Sequence, residues 1–157
     1  MFDYCLGMMT AMGRKGAKEM ALRVTIGFAF GDREEGVAYA RVLGSREPEH
    51  VQRITVPFRP QPALLGRDGA YAVLLAVAAE LRKQGVRDTV QFEIADEALV
   101  RDLADRRPVP APLAMPYVLL GCALNRFKSA SVRLGDAPAC RDLTARARAD
   151  ISINVAA

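Results

Sequence analysis

The sequence predicts an α/β fold: one five-stranded mixed sheet with helices on both faces. Three alternating apolar segments run from Leu22 to Phe58 with only short polar turns between them, the pattern of an antiparallel meander. Two further alternating segments, Thr89–Ala95 and Ser129–Leu134, each follow a helical run, which ties them into the same sheet through helices. At 157 residues, 51% apolar and 25% charged, the chain suffices for one packed core and excludes collagen, coiled-coil and disulfide-scaffold classes.

The elements follow in order. In LRVTIGFAFG, Val24, Ile26, Phe28 and Phe30 alternate with Arg23, Thr25, Gly27 and Ala29, giving a strand with one strongly apolar face. The turn GDREEG leads to a second strand, Val37–Leu43, and after SREPEH a third runs over Val51–Phe58. Pro60 and Pro62 mark a loop, and Asp68 is placed to cap a helix over Gly69–Gln84. That helix is apolar nearly all round until Glu80, so it must be buried on more than one side, and Gly85 stops it. Thr89–Ala95 is the fourth strand. Asp96–Asp105 is a short helix with Leu99 and Leu103 inward.

RRPVPAPLAMP, Arg106–Pro116, carries spaced prolines that forbid a continuous helix, so it reads as a stiff linker. Pro116 suits the first turn of a helix to about Phe127. Ser129–Leu134 is the fifth strand, and Asp136 and Pro138 open a last helix to about Asp150. Residues 151–157 read as a tail. Residues 1–20 read as an N-terminal arm or as an upstream extension with Met20 opening the domain. Their charges follow the apolar part, the wrong order for a signal peptide. No stretch reaches the roughly eighteen apolar residues of a membrane span.

The strand–helix order, with LLGCALNRFKSASVR (Leu119–Arg133) and APACRDLTARA (Ala137–Ala147), resembles the type 1 ribonuclease H domain from about Leu22 to Ala149. The resemblance implies hydrolysis of the RNA strand of RNA/DNA hybrids by two Mg²⁺ held on four carboxylates. Two divalent cations a few ångströms apart need several acids to neutralise them, and they stabilise both the attacking and the leaving oxygen. At the four matching positions this chain has Ala29, a residue between Tyr71 and Val73, Ala95 and Arg141. No acid lies between Asp68 and Glu80. Asp32 reads as a solvated turn residue and Asp68 as a helix cap. Asp96 reads first as a helix N-cap and is the best remaining catalytic candidate. Glu93 shares the strand parity of Ala95, and Asp142 lies about 100° round the helix from Arg141.

The resemblance therefore implies the fold with a degenerate active site, a pseudoenzyme. The net charge of +4 and pI near 9.2 favour polyanion partners. Of the 22 basic residues, 18 are Arg, which equally suits a solvated surface. The first functional expectation is a non-catalytic binder of RNA/DNA hybrid or other duplex, with Arg67 and Arg141 as binding residues. Arg101, Arg106, Arg107, Arg146 and Arg148 are further contributors, and no metal or cofactor is required. The second is a structural or protein-interaction module, self-associating or docked through VPAPLAMP. The third is a divergent Mg²⁺-dependent nuclease built on Asp96 with Glu93, Asp142 or Asp32. Cys5, Cys122 and Cys140 form no CxxC pair, and His50 is the single His, in a turn beside Pro48 and Glu49. A Cys/His zinc site is thereby disfavoured, and unpaired thiols point to a reducing, cytoplasmic setting.

Overall fold

A computed structural model gives the fold and describes residues 21–32, 35–44, 48–105 and 108–155. The N-terminal arm, Cys5 among its residues, lies outside them, as do Arg106 and Arg107. Strands β1 (Leu22–Phe30), β2 (Glu35–Leu43) and β3 (His50–Pro57) form the meander, with Ile26 opposite Ala40 and Ala38 opposite Ile54. β4 (Thr89–Ile94) and β5 (Ser129–Leu134) run parallel to β1, with Val24 opposite Phe92 and Phe92 opposite Val132. The sheet order is β3-β2-β1-β4-β5. His50 thus begins a strand rather than sitting in the turn.

The period-two pattern of β1 sorts its side chains onto two faces. Val24, Ile26, Ala38, Ala40, Ile54 and Phe92 join the main core beneath helix α1 (Arg67–Lys83). α1 packs on the sheet and on α3 (Ala114–Leu124), so Tyr71, Leu74, Val77 and Leu81 are all buried. Its all-round apolarity has this cause.

On the opposite face lies α4 (Ala137–Val155), over β1 and β2. Leu143 and Ala147 meet Val37 and Tyr39 there, and Ala29 and Ile151 pack at the edge of this smaller cluster. Gly27 makes the approach close. A Cβ built on it would lie 2.3 Å from the Thr144 backbone nitrogen and 2.4 Å from Leu143 Cβ. Any side chain at position 27 would hold α4 off the sheet.

Three helices differ in their boundaries from those read in the sequence. α1 begins at Arg67 behind Gly66, which sits at φ 85, so Asp68 is inside the helix and no side chain caps it. The Oδ2 of Asp68 instead accepts the backbone N–H of Gln61 at 2.9 Å, closing the preceding loop. α3 begins at Ala114 because a short turn, Ala111–Leu113, seats the buried Leu113 ahead of it. It ends at Leu124 rather than at Phe127. α4 continues past Asp150 through Val155, since Ile151 packs near Val37 and Tyr39 and carries the helix onward. Short helix α2 (Glu97–Asp105) begins as expected, with the Leu99 N–H donating to Asp96 Oδ1 at 2.8 Å. No helix among the described residues is long and apolar enough to cross a membrane.

Candidate functional site

A cleft opens where β1 ends and α1 begins. Phe30, Gly31 and Asp32 form one wall, and Phe58, Arg59 and Pro60 the other, around a recess of about 550 Å³. The rings of Phe30 and Phe58 lie tilted together with centroids 4.3 Å apart, and Phe28 meets Phe30 edge-on at 5.6 Å. Phe30 fits there because a Cβ on Gly36 or on Gly69 would run into its ring, at 2.4 and 2.6 Å.

The four positions singled out in the sequence fall around this end of the sheet as follows. Ala29 is half-buried under α4. Tyr71 and Val73 are buried in the main core. Ala95 is exposed just past β4, and Arg141 is exposed early in α4. Arg141 points outward because its neighbour Cys140 points in. The Cys140 thiol lies against the backbone of Ile26, midway along β1, and of Ala95, just past the end of β4. Burial pushes that thiol above its ordinary value, and the charges of Glu93 and Asp136 push it further. Buried there, it is shielded from solvent. Cys122, on α3, is exposed and free.

These residues do not suit two magnesium ions. Methyl groups, a buried phenol and a guanidinium offer no carboxylate oxygen, which hard divalent cations require. The nearby acids are otherwise engaged or apart. Asp96 caps α2. Glu93 accepts from Thr25 Oγ1 at 3.1 Å and Gln91 Nε2 at 2.9 Å, and pairs with Arg23 at 3.5 Å. Asp32 is exposed in the cleft wall, and Asp142 is exposed on α4. Among the described residues, no three His, Cys, Asp or Glu side chains come together as a metal-holding group.

The basic residues separate into two kinds. Arg67 is neutralised: its Nη2 meets Asp102 Oδ2 at 2.6 Å, and the same oxygen accepts the Tyr71 hydroxyl at 2.8 Å. Burial raises the Tyr71 pKa, and the hydrogen bond to Asp102 raises it further. Arg101 pairs with Glu97 at 2.6 Å, and Arg146 lies over the Tyr39 ring at 4.8 Å. Arg141 and Arg148, by contrast, stand exposed on α4. Sequence reading missed the Asp102 partner of Arg67, because 35 residues separate the two and no local pattern links them.

No family model and no curated protein matches this chain. Solved structures do match. RNase H1 from the halophilic archaeon Halobacterium salinarum superposes with a TM-score of 0.63 at 12% identity, covering 83% of this chain and 99% of that one. The N-terminal RNase H domain of a Mycobacterium tuberculosis protein gives 0.61 at 14% identity, covering 87% and 100%. LC11-RNase H1, solved in complex with an RNA/DNA hybrid, gives 0.59 at 12% identity, covering 82% and 97%. The chain therefore has the ribonuclease H fold, as its sheet order and helix placement also require.

Proposed function

We propose that this chain is a ribonuclease H-like domain that holds a nucleic-acid duplex, RNA/DNA hybrid foremost, without cutting it by two-metal chemistry. The observation that carries this reading is the set of side chains at the four positions. Three are apolar or buried, and the fourth, Arg141, is an exposed cation early in α4. A guanidinium there repels divalent metal but attracts a phosphate, and the positive end of the α4 dipole adds to the attraction. Duplexes of A-like form are held mainly through backbone shape and phosphate contacts, which need no catalytic acid. The hybrid bound by a protein of the same fold supports the choice of ligand.

The test uses an end-labelled RNA/DNA hybrid with Mg²⁺ or Mn²⁺ and a chelator control, scoring bound and cut fractions in the same samples. Salt-sensitive binding without cutting is the expected result. Arg141→Glu should weaken binding and lower the slope of log affinity against log salt by about 1, the share of one phosphate contact. Metal-dependent cutting that disappears in Asp96→Asn would replace this reading with an active nuclease. Absence of binding to any duplex would remove it.

A further inference from the structure

Helix α3, AMPYVLLGCAL, carries no charged residue. Its inner face is accounted for: Leu120 is fully buried, and Tyr117, Ala123 and Leu124 pack against the core. Its outer face is apolar too. Met115, Val118 and Leu119 are 66%, 56% and 48% exposed, and Cys122 continues the strip. Spacings of three, four and seven residues place these four on one face. A helix apolar on both faces is one that has a neighbour on both.

The two ends of the strip differ in charge. At the amino end, Pro116 and Leu119 border a groove of about 200 Å³ that is also lined by Asp68. Asp68 is 6% exposed, and its Oδ1 is buried with no donor, a costly state for a carboxylate oxygen. At the carboxyl end stand the exposed Arg126 and, near it, Arg82 and Arg87. One end lacks a donor and the other has cations to spare.

We propose that two copies of this chain pair through α3, antiparallel, about a two-fold axis between Val118 and Leu119, so that Arg126 of each copy reaches the Asp68 groove of the other. The antiparallel sense follows from the charges. A parallel pair would set Arg126 against Arg126 and leave Asp68 unserved, whereas an isologous antiparallel pair satisfies both ends twice. Met115 then faces Cys122 of the second copy, and Val118 faces Leu119. A strip one helix long is at the small end of stable interfaces, so the dimer is weak, with a Kd on the order of 10 μM. The pairing leaves α4 and Arg141 uncovered and does not rest on the nucleic-acid reading.

The test is light scattering and sedimentation of the full chain across concentration. A concentration-dependent dimer is expected, and Val118→Asp should weaken it at least about tenfold with an unchanged circular dichroism spectrum, since Val118 is exposed. Arg126→Glu should weaken it as well. Under mild oxidation in a Cys5→Ser background, Met115→Cys should give a covalent dimer through Cys122. The same background with native Met115 should not crosslink. A monomer at every concentration overturns the proposal. So does a dimer indifferent to Val118→Asp, or crosslinking through Cys122 alone, which marks a parallel pair.

Discussion

Replacing Gly27 with alanine should be among the most damaging single-methyl changes in this protein. The added Cβ would lie 2.3 Å from the Thr144 nitrogen, 2.4 Å from Leu143 Cβ and 2.5 Å from the Leu143 carbonyl carbon. Ordinary contacts between such atoms are about 3.5–4.0 Å, so α4 would have to rise by about 1 Å where it touches β1. The obstructing atoms are backbone and Cβ, which no rotamer change can remove. Lifting α4 loosens Leu143 and Ala147, which are 2% and 0% exposed. Overpacking of this kind costs about 3 kcal/mol at its upper range. For a chain of this length that lowers Tm by about 6–12 °C. Urea unfolding followed by far-ultraviolet circular dichroism, with calorimetry alongside, measures it. A thiol reagent gives a local readout, because the buried Cys140 in the first turn of α4 should become accessible. A loss of under about 0.5 kcal/mol with Cys140 still protected would refute the tight seating of α4.

Other perturbations test the polar ties between distant elements. Asp102→Ala leaves the Arg67 guanidinium and the Tyr71 hydroxyl without their shared acceptor and should cost about 2 kcal/mol, against about 1 kcal/mol for Tyr71→Phe. Equal urea midpoints for the two variants would show that the carboxylate ties nothing down. The Arg53 and Tyr39 hydrogen bonds hold the Asp150 carboxyl below its usual 3.8. A carboxyl depressed on folding stabilises the protein above its unfolded value, and that contribution is lost as pH falls through its folded value. The urea midpoint of the wild type should therefore drop on acidification below about pH 4, and Asp150→Asn should drop less steeply. Parallel pH profiles for the two proteins would remove Asp150 from the acid response.

Strands were legible because their signal is local. The parity that put Val24, Ile26 and Phe28 on one face needs no partner to be read, and it also placed Ala29 on the other face, under α4. Helix ends were less legible, because what sets them is not local. Asp68 has the residue type of a cap, yet Gly66 in the left-handed region starts α1 and Asp68 serves the Gln61 backbone instead. Nothing in ISINV announces a helix until Ile151 meets the cluster on β2. The site divides the same way. That Ala29, Ala95 and Arg141 cannot hold a divalent cation follows from side-chain chemistry alone. That Arg67 is neutralised by Asp102, while Arg141 stands free on the surface, does not.

By itself, then, the sequence determined the succession of strands and helices along the chain, the burial of α1 and the residue types at the four positions that the resemblance singles out, since periodicity and side-chain chemistry are properties of short stretches. Only the tertiary structure decided which arginines are spent on ion pairs, how closely α4 lies on Gly27, and that α3 shows water an uncharged face. Those depend on pairs such as Arg67 with Asp102 and Tyr39 with Asp150, which are 35 and 111 residues apart and meet only when the sheet and helices have packed.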